Sequence, residues 1–452
     1  MIVMMEAQKS ILSLFQMKNL IEESQCLKYI ESFSDDDYKY PNVDVVMKHS
    51  QYNIQKNRDR IYIIYNTLFN SMITLSDTEF IQYEKLEFND LDIVEALVNN
   101  GFIIPVFVDE YKRYSYYKEI LLNQISTPMH YTIAVTSNCN ARCTYCYEEG
   151  IVKSDMSMQT AKLFVNDLLN LDKEFDISWF GGEPLLKTDL ISYVSDVLNS
   201  NQKRFKAGII TNGSLLTKEM IEVKFPSWNI EWIQITIDGM VDEYLKRKRY
   251  YNSRKEIFSN IIDNIKYLIE NNIFVSVRLN IDSQNIEECI RVAKYIKDEI
   301  DNSEYLSVYP AFLYGNEHSL YDENIRINCA SDIYSIFPPK MDLLSFVPKV
   351  HPCFISQKYS FVIDTDGSIL ACDGDVGKQH TKYANLYENI DFNELKKPSN
   401  IIPDIRDLCK KCQYYPKCGG GCSNSYNNNC QYDSCFMERY KIEFLLNRLI
   451  GI

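Results

Sequence analysis

Cys139, Cys143 and Cys146 lie within "TSNCNARCTYCYEEG", residues 136–150, directly after the apolar run "HYTIAV". Three thiolates are one short of the closed four-ligand set of a structural zinc, and no nearby histidine completes it. They suit a cubane [4Fe–4S] cluster, in which three cysteines hold three irons and the fourth iron stays open to an outside ligand. A second concentration follows near the carboxyl end: Cys353, Cys372, Cys409, Cys412, Cys418, Cys422, Cys430 and Cys435. Only Cys26, Cys289 and Cys329 stand alone, and each reads as a small buried hydrophobe.

The 452 residues allow about three domains at about 150 residues each. A hydrophobic content of 46% supplies real cores, so the 14 cysteines are not needed as a disulfide framework, and their clustering points to metal. Against 62 acidic residues stand 48 basic ones, a formal charge of −14, which argues against a nucleic-acid groove built on long-range attraction. No stretch reaches the roughly 18 apolar residues of a membrane span, and the amino terminus lacks a signal-peptide pattern. The expected setting is therefore the cytoplasm, with no membrane partner.

The elements that position these cysteines fall into regions. Residues 1–125 mix helical stretches with short strand-like runs such as "RIYIIYN" and "GFIIPVFVD", the latter preceded by the amphipathic "DLDIVEALVNN". This is an α+β module. Over 126–315 six apolar strands alternate with helix-length segments: "HYTIAVTSN", "FDISWFGG", "FKAGIITNG", "WIQITIDG", "IFVSVRLNID" and "YLSVYPAFL". The expected fold class is α/β, a partial (β/α)6 TIM-like barrel. The loops after its strands build the active site, and the three-cysteine loop follows the first of them. A bridging segment is expected over 316–350 and a cysteine-rich domain over 351–452.

With these residues in place, Cys139-x3-Cys143-x2-Cys146, with Tyr145 before the last cysteine, resembles the signature of radical S-adenosylmethionine enzymes. "GGEP", Gly181, Gly182, Glu183 and Pro184, is similar to the family's segment that receives the methionine amino group. Thr211, Asn212 and Gly213, then Thr236 and Asp238, then Arg278 and Asn280 fall where the family contacts ribose and carboxylate. The resemblance implies S-adenosylmethionine chelated at the open iron and cleaved by one electron to a 5′-deoxyadenosyl radical, which removes hydrogen from unactivated carbon.

The later cysteines are similar to the SPASM extension, which carries auxiliary clusters in peptide- and protein-modifying maturases. On that pattern Cys409, Cys412, Cys418 and Cys435 hold a distal [4Fe–4S] cluster, and Cys353, Cys372 and Cys422 a proximal one, three clusters in all. The proximal set is a thiolate short. Either its iron is open to a substrate thiolate or solvent, or Cys329 or Cys430 closes it. The resemblance also implies a flavodoxin- or ferredoxin-like electron donor.

Three functions stay open. One is a maturase that binds the leader of a ribosomally synthesised precursor peptide through a winged-helix-like amino-terminal module and installs a cysteine thioether crosslink; the same module could instead be a packing cap. Another is an anaerobic sulfatase maturase forming formylglycine, for which Asp373, directly after Cys372, resembles the proton-accepting aspartate. The last is a non-catalytic iron–sulfur or zinc scaffold.

Overall fold

A computed structural model describes residues 46–115, 118, 129–300, 304–313, 318–320, 322–340, 353, 355, 357–378, 381–398, 407–422 and 437–451. The amino-terminal unit contains β1 (Met47–His49), β2 (Asn53–Arg58), β3 (Ile61–Asn66), β4 (Ser71–Leu75) and β5 (Ile103–Pro105). Strands β2, β3 and β4 form an antiparallel meander, and β1 pairs with β5. Helix α1 (Asp77–Lys85) starts at a capping box between Ser76 and Glu79, and α2 (Leu91–Asn99) at Asp90. Helix α2 is the one expected over "DLDIVEALVNN".

All six expected barrel strands form: β6 (Met129–Thr136), β7 (Phe175–Gly181), β8 (Phe205–Thr211), β9 (Ile230–Thr236), β10 (Phe274–Ile281) and β11 (Leu306–Phe312). They run parallel, each beside its sequence neighbour. Between and after them lie α3 (Met158–Leu169), α4 (Thr188–Ser200), α5 (Val241–Lys248), α6 (Glu256–Glu270), α7 (Ile286–Glu299) and α8 (Glu323–Ile336). Alternate strand residues such as Ile133, Ile177 and Ile209 bury against helix residues such as Phe164, Val194 and Ile265. The opposite face carries Ala134, Phe180 and Ile210.

The sheet does not stop at β6. Strand β12 (Ser360–Ile363) pairs in parallel with β6, and β13 (Ser368–Leu370) and β14 (Lys382–Asn385) extend it antiparallel, giving nine strands in one sheet. Part of the cysteine-rich region is thus an extension of the barrel sheet. Helix α8 lies in the stretch expected as a bridge and packs against α7, β11 and the final helix α9 (Met437–Leu449).

Gly208 on β8 shows how tightly neighbouring strands fit, since a Cβ there would stand 1.9 Å from the Trp232 indole of β9. Gly208→Ala is expected to cost about 1–3 kcal/mol by overpacking. Urea unfolding should show a lower midpoint at unchanged slope; an unchanged midpoint would contradict this close approach.

Candidate active site

The three-cysteine loop leaves the end of β6 and is strapped on two sides. On one side Gly182 N donates to the Thr136 carbonyl and Glu183 N to the Asn138 carbonyl, both at 2.9 Å. The approach is so close that a Cβ on Gly181 would stand 2.0 Å from Thr136 O, and one on Gly182 2.4 Å from Asn138 O. Asp155 adds a clamp: it accepts from Thr136 Oγ1 (2.5 Å) and Asn138 Nδ2 (2.9 Å) and pairs with Lys187 Nζ at 2.7 Å. Burial pushes the Asp155 carboxyl up, but Lys187, Thr136 and Asn138 outweigh it and pull it down to about 2. On the other side Arg142 N donates to the Lys248 carbonyl (3.0 Å) and Thr144 N to the Arg247 carbonyl (2.9 Å).

A buried charge network meets this loop from below. Tyr145 Oη donates to Asp238 Oδ2, and Lys248 Nζ lies 2.9 Å from Tyr145 Oη and 3.3 Å from Asp238 Oδ2. Arg247 grips Asp282 through two nitrogens, at 2.6 and 3.3 Å, with both side chains 4% exposed. Two cations therefore balance two carboxylates inside the barrel mouth. Asp238 Oδ1 is buried and has no hydrogen-bond partner among the described residues.

The other strand-end residues converge nearby. Glu183, fully buried, accepts from Leu185 N (3.0 Å), Thr211 Oγ1 (2.7 Å) and Asn212 N (2.9 Å), so its carboxylate is largely occupied in tying β7 to β8. Burial raises its pKa. Pro184 opens the short helical turn Pro184–Lys187. Asn212 Nδ2 donates to Asn140 Oδ1 at 2.8 Å, linking the end of β8 to the cysteine loop. Arg278 Nε donates to Asn280 Oδ1 at 2.9 Å on β10, and Arg278 is in register with Thr236 of β9.

These residues fit the cofactor pair that the motif implies. Cys139, Cys143 and Cys146 are free thiols in one half-buried loop, and burial pushes Cys139 up to about 11 and raises Cys146 as well. Such thiols ionise when a metal takes them. Among the described residues no three His, Cys, Asp or Glu side chains converge on one ion, an arrangement compatible with a cluster whose cysteines each bind a different iron. The orphaned Asp238 Oδ1 offers an acceptor to a hydroxyl-bearing ligand beside that loop.

Of the later cysteines, Cys353 and Cys372 both lie within electrostatic reach of Lys397, whose Nζ bonds Ser360 Oγ at 2.9 Å. Cys409 and Cys412 pack on one tyrosine cluster, Cys418 follows in the same loop, and Cys422 comes after three glycines at positive φ. Cys430 and Cys435 lie outside the described residues, as does Cys26. Cys329 is 2% exposed in the main core, with Cys289 and Asp332 as its electrostatic neighbours. Asp373 Oδ1 accepts from Gly374 N (2.9 Å) and from Cys372 Sγ (3.7 Å) at the start of the short turn Asp373–Asp375.

Sequence reasoning missed Arg247, Lys248, Asp282 and Asp155. The run Lys246–Arg249 looks like a solvated basic face, yet Arg247 and Lys248 are each 3% exposed. The available signal was the pair Asp238 and Asp282 at consecutive strand ends, which require buried cations.

Residues 133–296 match the Radical SAM superfamily. The cysteine-type anaerobic sulfatase-maturating enzyme of Clostridium novyi (strain NT) is 26% identical over 69% of this chain and 93% of its own length. The antilisterial bacteriocin subtilosin biosynthesis protein AlbA of Bacillus subtilis (strain 168) is 27% identical over 39% of this chain and 38% of its own. Two other curated relatives are spanned over 58% and 49% of their lengths, so the chain covers about half of several relatives it matches. Among solved structures, native anSMEcpe with bound AdoMet and Cp18Cys peptide aligns with a TM-score of 0.53 at 17% identity, over 72% of this chain and 98% of that one. It shares the fold.

Two outcomes test the site's electrostatics. Arg247→Met strands the Asp282 carboxylate and should cost about 3–5 kcal/mol in urea unfolding, partly recovered by adding Asp282→Asn. The depressed Asp155 carboxyl contributes stability above its unfolded value near about 3.9, lost as pH falls towards 2, so Asp155→Asn should flatten that acid limb. An unchanged acid limb would contradict the clamp.

Proposed function

With residues 133–296 a radical SAM domain, we propose that the chain is a radical S-adenosylmethionine maturase of a polypeptide. In its most specific form it installs a cysteine thioether crosslink in a ribosomally synthesised precursor peptide. The single observation that carries the chemistry is the three-thiol loop, strapped to the ends of β6 and β7 and joined to Asp238 through Tyr145. When bound, the cluster and S-adenosylmethionine supply one-electron removal of hydrogen from carbon. The chain's part is positional. Cys139, Cys143 and Cys146 would hold the iron, while Tyr145 and Lys248 fix Asp238, whose unpartnered oxygen would accept from a hydroxyl of the cofactor. Thr211, Asn212, Thr236, Arg278 and Asn280, at the adjoining strand ends, would contact the rest of it.

A polypeptide substrate is supported by the roles of the relatives: bacteriocin biosynthesis for AlbA, sulfatase maturation for the Clostridium novyi enzyme, and a peptide bound in the structural neighbour. The reading gives the leader to the amino-terminal unit, as a strand added beside the antiparallel meander of β2, β3 and β4. Two auxiliary [4Fe–4S] clusters, on Cys353, Cys372 and Cys422 and on Cys409, Cys412, Cys418 and Cys435, complete the reading. So do a small flavodoxin- or ferredoxin-like electron donor and a cytoplasmic setting. Among the described residues no helix is long and apolar enough to cross a membrane.

Formylglycine formation is the second reading, favoured by the nearly full-length match to the sulfatase-maturating enzyme and by Asp373 beside Cys372. Co-expression with a cysteine-containing precursor encoded beside the gene separates the two. A thioether removes two hydrogens per link and leaves the cysteine unreactive to alkylation. Formylglycine replaces the thiol by an aldehyde that hydrazides capture. An unaltered peptide mass, together with no change in a sulfatase-derived cysteine peptide, would contradict both.

A further inference from the structure

The loop carrying Cys409, Cys412 and Cys418 is held by its own turns and by contacts from far outside its own sequence. Its local structure consists of two four-residue helical turns, Asp407–Lys410 and Tyr415–Cys418. Three of its main-chain carbonyls receive side-chain donors from the amino-terminal unit. Thr67 Oγ1 donates to Gln413 O at 2.6 Å, Tyr114 Oη to Pro416 O at 3.4 Å and Gln51 Nε2 to Lys410 O at 3.3 Å. A fourth contact runs the other way: Lys417, 1% exposed, donates to Asn70 Oδ1 at 3.0 Å. Asn70 sits at positive φ in the turn between β3 and β4 and also accepts from Tyr65 Oη at 2.8 Å, so the turn is rigid where it meets the loop.

Apolar packing follows the same seam. Tyr52 and Tyr114 of the amino-terminal unit pack with Tyr415, and Cys409 and Cys412 rest against that cluster. Tyr114 meets Tyr415 edge-on at 5.2 Å. Next to it, Ile54, Ile63 and Tyr65 bury with Tyr414 and with Ile442 and Leu446 of α9. The loop's own main-chain bonds, such as Cys412 N to Cys409 O, Tyr415 N to Cys412 O and Cys418 N to Tyr414 O, set its two turns but not how they are seated. Donors fixed on a preformed sheet select one seating, because each carbonyl that leaves its donor in a water-poor seam is left unsatisfied.

We propose that the amino-terminal unit, residues 46–115, is one wall of the distal cysteine site, with Thr67, Asn70 and Tyr114 as positioning residues that shape the loop 407–422 for iron. The unit is thereby a folding partner of the metal site as well as the expected place for a leader, and its removal takes away the three donors and the tyrosine packing it lends the loop. The iron arm rests on the reading of Cys409, Cys412 and Cys418 as ligands; the loop-shape arm does not.

The test uses the full chain, reconstituted anaerobically, with Cys139, Cys143 and Cys146 replaced by alanine so that only auxiliary iron remains. Thr67→Val combined with Tyr114→Phe removes two hydroxyl donors and keeps the side-chain outlines. The expected result is a folded protein that has lost distal iron and its electron paramagnetic resonance signature. Amide exchange across 407–422 should be about tenfold faster or more. If the double variant fails to fold, Lys417→Met takes its place, with the same loss expected and Lys417→Arg recovering iron. Iron content, spectrum and exchange all equal to the parent would overturn the proposal. A parent without auxiliary iron would instead sink the ligand reading, and the exchange rates would still decide whether the unit is a wall.

Discussion

The barrel mouth depends on the approach of Gly181 and Gly182 to the carbonyls of Thr136 and Asn138. No side chain fits in that space, since an added Cβ would stand 2.0 to 2.4 Å from those oxygens. The constraint comes from the chain itself, before any ligand is considered. It joins the end of β7 to the start of the cysteine loop by main-chain bonds, so the loop inherits the rigidity of the parallel sheet. Asp155 fastens the same corner through charge, and Asn212 reaches the loop from the end of β8. Three thiols in a flexible turn would be a weak metal site; here they stand on a frame set by strand pairing.

The second support is the charge-balanced interior of the mouth. Arg247 and Lys248 are costly to bury, and Asp282 and Asp238 compensate them at distances of 2.6 and 3.3 Å. Their backbone carbonyls also receive the amides of Arg142 and Thr144. One short segment therefore fixes both the loop's path and the orientation of Asp238. Such a network adds little net stability over an apolar core, but it sets geometry, because each member has few alternative partners in a water-poor space.

Much of this was legible in the sequence. The six barrel strands are runs of seven or eight residues rich in β-branched and aromatic side chains, and a loop begins where each run ends. The cysteine spacing named the metal chemistry directly. Strands β12, β13 and β14 were hidden because three or four residues cannot establish a period. Arg247 and Lys248 were hidden because a run of four cations reads as solvent-facing until the carboxylates that meet it are placed. Glu183 was legible as a site residue, yet its occupation by Thr211 and Asn212 depends on the separation of β7 and β8, which no local pattern encodes. The seating of residues 46–115 against the loop 407–422 joins positions more than 300 apart in the chain, and only the tertiary structure reveals it.

The central claim is that the strapped three-cysteine loop holds the iron that activates S-adenosylmethionine. Its most direct measurement is the yield of 5′-deoxyadenosine from the anaerobically reconstituted full chain under reductant, compared with a variant carrying Cys139→Ala, Cys143→Ala and Cys146→Ala. Release of 5′-deoxyadenosine and methionine is expected from the parent and none from the variant, with auxiliary iron still bound. Undiminished cleavage in the triple variant would contradict the claim.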